Sequence, residues 1–505
     1  MKLDKTVNTK RGILYGFINR IVTIIMPFIS QTILIRTLGA EFVGVKGLFT
    51  SILMVLSLTE LGIGSAIVYN MYKPIAEDDT KTIDALLNLY RSLYRKIGII
   101  IFVLGIIMTP FLNRMIRGEF PAQINLQVVF WLYLINTVLS YWLFAYKSSI
   151  LTAYQRIDVI NIISSAIQVM TNVFQILVLL LSKNFYLYQC VAIIFTIVNN
   201  LIVSVCVSCM YPEIECKGKI SNELSHNIKQ NIGGLVIAKV CATTRNTFDN
   251  IFISMFLGLT QAAMYTNYIY IFTSLNAFMG IISSSILAGV GNSIALETKE
   301  NNYRQMLILN TAYLCISGWV AICMLCLYQP FMECWVGKDL LFNTETMLLF
   351  PIYFFILKMG DIRCVYSDAA GLFWQNRVRN IFEAISNIVL NYVLVIKYGV
   401  FGVLLATIIT VFIFGFLTSA IVIFKYYYTT GFWKYIENCI FYLTMTIIMG
   451  VISMFICNNM LSVSPIFNLI TRAIYCVTLM PLLYLGLIFW RKDFKDSFQF
   501  MKSHI

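Results

Sequence analysis

Long apolar segments separated by short polar ones recur along the whole chain. A helix needs about 20 mostly apolar residues to cross a hydrocarbon core of roughly 30 Å. The pattern therefore predicts an all-α polytopic membrane protein with about 14 transmembrane helices. The predicted spans are 12–35, one within 37–73, 97–112, 126–145, 159–181, 187–210, 231–257, 262–290, 306–328, 346–367, 378–396, 401–424, 435–457 and 466–490.

The composition supports this class and excludes a soluble protein. Of the 505 residues, 59% are hydrophobic and 12% are charged, and the mean hydropathy is +0.79. A soluble chain must keep its surface wet, and this one carries too few polar residues to do so. The net charge of +13 is explained by Lys and Arg in cytoplasmic loops, so no nucleic-acid partner is predicted.

The distribution of basic residues predicts the topology. With the amino terminus in the cytoplasm, about 24 Lys and Arg fall on the cytoplasmic side and about eight outside. Both termini are therefore expected in the cytoplasm, together with the connection between residues 73 and 96. No cleavable signal peptide is expected, because the first apolar segment is too long and no small-residue cleavage site follows it. The predicted external connections are all short.

Neither the cysteines nor any nucleotide-binding motif predicts a catalytic or metal site in this chain. Most of the 13 cysteines lie in apolar runs, where they are expected to act as small hydrophobic side chains. Cys323 and Cys326 have CxxC spacing, but no histidine or second cysteine pair accompanies them, so no metal site is predicted. The chain has no P-loop motif, so ATP hydrolysis by this chain is not predicted. No catalytic residue and no bound cofactor are predicted.

The two halves of the chain resemble each other at an offset of about 219–220 residues. Gly39 matches Gly258 at this offset, and Arg20 matches Lys239. Six spans per repeat place both repeats in the same orientation, so two pseudo-symmetric lobes with a cavity between them are expected. The predicted division is an N-lobe at 1–210, a cytoplasmic linker at 211–230, a C-lobe at 231–427, and two further helices with a cytoplasmic tail at 428–505.

Charged residues within the predicted spans are the candidate functional residues. Each costs about 2.5–3.5 kcal/mol at a helix centre unless water, an ion or a partner meets it. Structural ion pairs and snorkelling to the interface are the alternatives to a cavity-lining role. The candidate substrate-binding cations are Arg20, Lys239, Arg245, Lys358 and Arg363, and the candidate coupling acids are Glu60, Asp249 and Asp361.

Helical spacing separates these candidates. Lys358, Asp361 and Asp368 share one face of the tenth span, and Asp368 is a further available counter-charge. Arg245 and Asp249 stand one turn apart and can pair with each other. Arg20 and Lys239 have no acid one turn away, so they are the preferred candidates for an anion-attracting cavity. Glu60 can bind a proton or cation, or neutralise one of the cations. Amides within the spans can bond between helices or meet a sugar; examples are Asn19, Gln168, Asn172 and Gln175.

The first hundred residues carry a family resemblance. The segments LGAEFVGVKGLFTSILMVLSLTELGIGSAIVYNMYKP and LLNLYRSLYRK resemble the start of the bacterial polysaccharide transporter family, the Wzx-type flippases for O-antigen and capsule repeat units. This family belongs to the MOP (multidrug/oligosaccharidyl-lipid/polysaccharide) superfamily, with lipid II flippases and MATE multidrug exporters. The resemblance implies two lobes in a V shape around a cationic cavity, in the bacterial inner membrane.

The resemblance also implies a substrate. It indicates alternating-access transport of an undecaprenyl-diphosphate-linked oligosaccharide from the inner to the outer leaflet, in contact with membrane lipids and with pathway proteins such as the polysaccharide polymerase. Arg20 matches a cavity-lining arginine of the first helix in lipid II flippases. Coupling to H+ or Na+ is left open. The alternatives are a cation-coupled multidrug exporter centred on Glu60 or Asp361, and a membrane polysaccharide polymerase, which would need a larger external loop.

Overall fold

The computed structural model describes residues 5–60, 63–118, 120–220, 240–241, 243–244, 247–460 and 464–504. Within these ranges the regular structure is helical throughout, without a strand. The chain divides into two compact units, Met1–Ala263 and Met264–Ile505, and each is described by itself. The repeat-based lobes at 1–210 and 231–427 stay a prediction.

The first unit is built from helices α1 to α9. Their starts are set by side chains that accept hydrogen bonds from free backbone N–H groups: Asn125 caps α5 and Asn184 caps α8. Asp79 caps α4, and hydrogen bonds from Thr82 lower the pKa of the Asp79 carboxyl. The helices are α1 (Lys5–Leu38), α2 (Ala40–Leu56), α3 (Ile63–Ala76), α4 (Thr80–Met108), α5 (Leu126–Trp142), α6 (Ser148–Ala153), α7 (Ile157–Ser182), α8 (Phe185–Met210) and α9 (Thr247–Leu257).

The second predicted span is interrupted rather than continuous. Helix α2 ends at Leu56, a 3₁₀ turn follows at Ser57–Glu60, and α3 begins at Ile63. The turn coincides with Ser57, Thr59 and Glu60, which interrupt the apolar run. Non-helical backbone within a membrane occurs where protein or a wet cavity covers it.

The second unit contains α10 to α19, with α10 starting at the end of the first unit. An aromatic cluster of Tyr268, Tyr328 and Phe350 forms part of its core. The helices are α10 (Leu259–Leu296), α11 (Lys299–Val336), α12 (Thr344–Lys358), α13 (Asp361–Ala369), α14 (Phe373–Thr410), a π-helix (Val411–Thr418), α15 (Ser419–Ile423), a second π-helix (Phe424–Tyr428), α16 (Phe432–Asn458), α17 (Pro465–Val477), α18 (Leu479–Ile488) and α19 (Lys492–His504).

The longest apolar stretch crosses twice because a glycine breaks it. The run Phe373–Tyr428 has 56 residues, or about 84 Å as one helix, far more than a bilayer core. Gly399 has φ 59° and ψ −137°, which is not helical. A Cβ on Gly402 would collide with the Leu394 carbonyl, so the two arms approach closely at this hairpin. The predicted spans at 378–396 and 401–424 correspond to the arms.

The outward surface suits lipid. Among the described helices, nine are long and apolar enough to cross a membrane, or ten with one bent pair. On α16 a stripe of exposed apolar side chains runs through Ile440, Ile447, Val451 and Phe455, and Phe455 is 72% exposed. Such a face is stable against hydrocarbon but not against water. The chain is a multi-span membrane protein, and these spans are compatible with the predicted number of about 14.

Two pairs of turns agree with the proposed repeat. Gly39 and Gly258 lie 219 residues apart and have φ of 108° and 91°. Gly118 and Gly337 have the same separation, with φ of 89° and 88°. Residues other than glycine rarely adopt this region, so equivalent positions in the two halves require the same backbone conformation.

The predicted topology can be tested at two exposed turns. A cysteine at Glu77, before α4, should react with an impermeant maleimide only after the cell membrane is opened, because that connection is predicted to be cytoplasmic. A cysteine at Asp339, between α11 and α12, should react in intact cells. Labelling is scored against the parent protein with its native thiols. Reaction of Glu77→Cys in intact cells would reverse the predicted orientation.

Candidate functional site

A buried ion pair joins two of the predicted site residues. Lys358 ends α12 and Asp361 begins α13, and Lys358 Nζ lies 2.6 Å from Asp361 Oδ2. The Tyr313 hydroxyl on α11 donates to the same oxygen at 2.6 Å, and Ser283 on α10 donates to Tyr313 at 3.1 Å. Lys358 is 3% exposed. The tenth predicted span is not one continuous helix, because α12 ends at Lys358 and α13 begins at Asp361. The two side chains meet across this break, and the acid and cation offset each other's burial.

Arg363 is held by backbone rather than by an acid. It is fully buried, and its Nη2 donates to the Gly415 carbonyl at 2.9 Å. Gly415 lies in the π-helix Val411–Thr418. Such segments shift the backbone hydrogen bonds and occur often at functional sites. Nε and Nη1 of Arg363 have no hydrogen-bond partner among the described residues, so part of its donor capacity stays available inside the protein.

A second arginine that contacts the same π-helix was missed by the sequence analysis. Arg379 on α14 donates to the Phe414 carbonyl at 3.0 Å and to Glu383 Oε2 at 3.0 Å. Two arginines from different helices thus meet neighbouring carbonyls, at Phe414 and Gly415.

Acids balance the cations of this region. Asp361 pairs with Lys358, and Glu383 pairs with Arg379. Asp368 on α13 interacts electrostatically with both Arg363 and Arg379, so three acids face the three cations. Arg379 escaped notice because the predicted eleventh span began at residue 378, which placed this side chain at the membrane boundary.

One face of α14 is a buried polar stripe. Its members recur at helical spacing of three or four residues, which a search for polar rather than apolar periodicity would have found. Asn387 donates to the Thr407 hydroxyl at 3.1 Å and to that of Thr410 at 3.3 Å, which joins the two arms of the hairpin. The stripe consists of Asn376, Asn380, Glu383, Asn387 and Asn391.

Of the remaining predicted site residues, the structure describes the side chains of Arg20 and Asp249 only. Arg20 lies on α1 with an exposed side chain and forms no ion pair with a described residue. Its neighbour Asn19 donates to Asn161 on α7 at 3.3 Å. Asp249 is buried in α9, at 2% exposure. Lys239, Arg245 and the side chain of Glu60 lie outside the described residues, so their roles stay predictions.

The CxxC cysteines belong to a larger thiol cluster. Cys323 and Cys326 on α11 contact Cys476 on α17, and Cys326 also contacts Cys457 on α16. The main chain here takes part as well, since Arg472 Nη1 donates to the Cys326 carbonyl at 3.3 Å. The small thiols let α16 and α17 pack tightly against α11.

Comparisons with known proteins identify the fold. No family model and no curated sequence matches the chain. The structure of the lipid II flippase MurJ in an inward closed conformation superposes with a TM-score of 0.68 at 15% identity, and the match covers 95% of this chain and 98% of MurJ. The chain has the fold of MOP-superfamily transporters. This confirms the predicted fold class.

Other members of the superfamily match over less of the chain. An inward-facing multidrug resistance MATE transporter gives a TM-score of 0.63 at 15% identity, covering 81% of this chain and 98% of its own. The Vibrio cholerae MATE transporter VcmN in its bent form gives 0.53 at 14% identity, covering 86% of this chain and 96% of its own. At these identities the likeness to MOP transporters is one of fold, and the Wzx-type assignment stays a prediction.

Proposed function

We propose that this protein is a flippase that moves an undecaprenyl-diphosphate-linked oligosaccharide from the inner to the outer leaflet, for O-antigen, capsule or exopolysaccharide synthesis. The observation that carries the proposal is the extent of the fold match. The lipid II flippase matches 95% of this chain, whereas the MATE structures match 81–87%. The match to the lipid II flippase therefore extends over more of this chain than the matches to the MATE structures do.

The interior chemistry supports an anionic, glycosylated substrate. A diphosphate carries two or more negative charges, which need cations once they leave water. In the second unit Arg363 has two nitrogens without a hydrogen-bond partner among the described residues, and Arg20 lies exposed on α1 without an ion-pair partner in the described part of the chain. Arginine offers paired donors that match phosphate oxygens. Buried amides such as those of α14 offer neutral donors and acceptors for sugar hydroxyls.

Multidrug export is the second candidate, because MATE structures share the fold. A cationic drug would need an acid free to receive it. Asp361, one predicted centre for such a site, is already paired with Lys358 and hydrogen-bonded to Tyr313. This arrangement favours the flippase. A polymerase or other enzyme is disfavoured, since the solved structures sharing this fold are named as transporters and flippases.

Reconstituted vesicles can separate the two candidates. The purified protein should accelerate the movement of a fluorescent undecaprenyl-diphosphate-linked oligosaccharide across the bilayer, measured by loss of fluorescence to an impermeant reductant. It should not concentrate ethidium under a proton or sodium gradient. Empty vesicles supply the baseline. Ethidium transport without movement of the glycan lipid would contradict the proposal and favour the exporter.

Coupling and cellular context complete the proposal. Flipping in the same vesicles under an imposed H+ gradient, an imposed Na+ gradient, or neither would identify the coupling ion, for which Glu60, Asp249 and Asp361 are the candidate acids. We place the protein in the bacterial inner membrane with both termini in the cytoplasm. The polysaccharide polymerase of the same pathway is its proposed partner, because it would consume the flipped repeat unit.

A further inference from the structure

The first unit contains an open cavity bordered by α3, α4 and α6. Its volume is about 490 Å³, which is in the usual range for small-molecule sites. Among the described residues, its lining comprises Gly64, Val68, Tyr69, Tyr72, Tyr90, Ser148, Ser149 and Thr152.

The lining is rich in hydroxyl groups. Six of these eight residues are Tyr, Ser or Thr, and none of the eight is charged. The Ser148 and Ser149 hydroxyls donate to the carbonyls of Ala145 and Tyr146, and Thr152 donates to that of Ser148. A hydroxyl whose hydrogen is already donated to a carbonyl still has lone pairs on its oxygen, which can accept a hydrogen bond. These three oxygens are therefore acceptors for donors on a ligand.

Aromatic rings stand at the mouth of the cavity. Tyr69 and Tyr72 lie three residues apart on α3 and are 68% and 45% exposed. Deeper in the cavity, a Cβ on Gly64 would lie 2.6 Å from the Tyr90 hydroxyl, so glycine makes room for that hydroxyl. Tyrosine rings present an apolar face beside a polar tip. The eight lining residues thus combine the flat apolar faces of tyrosine rings with hydroxyl oxygens that accept hydrogen bonds. None of the eight carries a charge that could neutralise a charged ligand.

We propose that this cavity binds a neutral sugar ring, which stacks on Tyr69 and Tyr72 and donates hydroxyl hydrogens to Ser148, Ser149 and Thr152. An anion such as diphosphate would meet no cation among the described lining residues, and burying it unpaired would be costly. This inference rests on the proposed function. It assigns the cavity to the glycan part of the substrate, whereas the cations serve its diphosphate.

The position of the cavity fits an early step of transport. Helix α3 ends at Ala76 and leads into the connection predicted to be cytoplasmic. The glycan of a lipid-linked substrate faces the cytoplasm before it is flipped. A sugar held here would be captured from the inner leaflet before the lobes rearrange.

Saturation-transfer NMR on the detergent-solubilised full-length protein tests the assignment. The probes are free N-acetylglucosamine, farnesyl-diphosphate-linked N-acetylglucosamine and farnesyl diphosphate alone. Transfer to sugar ring protons should be seen with the wild type and should fall about tenfold in a Tyr69→Ala, Tyr72→Ala variant. The matched control is Tyr398→Ala with Tyr426→Ala, which removes two exposed tyrosines of the second unit and should keep the wild-type signal.

The NMR and vesicle experiments together distinguish the sugar site from the proposed function. Transfer from both sugar probes supports recognition of the sugar alone, and transfer only from the lipid-linked probe supports capture from the membrane. No transfer from either probe, or equal transfer in the Tyr69, Tyr72 variant, would overturn the assignment. Sugar binding without flipping in vesicles would contradict the proposed function and leave this site standing. Flipping in vesicles by the wild-type protein, without transfer to either sugar probe, would overturn this site and leave the proposed function standing.

Discussion

Replacing Arg20 and Lys239 together by alanine is expected to reduce flipping of the glycan lipid by about 100-fold or more. Hydrogen bonds to charged groups contribute about 1.5–3 kcal/mol each, and two cations would be lost from opposite a diphosphate. Arg20 lies exposed on α1 without an ion-pair partner in the described part of the chain. Its charge is therefore accessible to an anionic substrate. Lys239 is its equivalent at the repeat offset.

The vesicle assay with purified variants gives the measurement. Arg20→Lys should retain more activity than Arg20→Ala, because the charge survives although the two-pronged geometry is lost. The matched control is Arg114→Ala, which removes an exposed arginine after α4 and should flip at the wild-type rate. Wild-type flipping by the Arg20, Lys239 double variant at equal protein content would show that these cations are structural.

Breaking the Lys358–Asp361 pair is expected to have the largest effect on stability. In Lys358→Met, the Asp361 carboxylate would keep only the Tyr313 hydroxyl described above. Removing one partner of a buried pair costs about 3 kcal/mol or more, so the thermal transition should fall by several degrees. Lys358→Met combined with Asp361→Asn should recover most of the loss, since no unpaired charge remains.

Thermal unfolding in detergent, followed by intrinsic fluorescence, measures these differences. The exposed pair Lys73–Glu77, with 3.8 Å between Nζ and Oε1, supplies the control, because Lys73→Met should change stability by less than about 1 kcal/mol. If Lys358→Met unfolds at the wild-type temperature, the pair does not stabilise the fold. If the double variant is no better than Lys358→Met, the lost packing of lysine matters more than the charge.

The amino-acid sequence determined the class of protein and most of its helices. Apolar segments of about 20 residues are a local property, and a bilayer accepts them only as helices, so hydropathy predicted a multi-span helical protein. The repeat and the family resemblance predicted the kind of fold that the MurJ and MATE structures have. The proximity of Lys358 and Asp361 was also predictable from their spacing of three residues, although the structure places them on two helices.

Only the tertiary structure decided how the polar interior is arranged. The π-helix at Val411–Thr418 lies in sequence as apolar as the helices around it, so no local pattern marks it. The turn after Leu56 coincides with Ser57, Thr59 and Glu60, which by themselves do not distinguish a break from a continuous helix. Arg363 and Arg379 reach neighbouring carbonyls because α13 and the first turns of α14 both pack against that π-helix, about 35–50 residues further along the chain. The hydroxyl-lined cavity likewise needs α3, α4 and α6 side by side. Contacts between residues far apart in sequence depend on packing, and hydropathy along one chain carries no information about which faces meet.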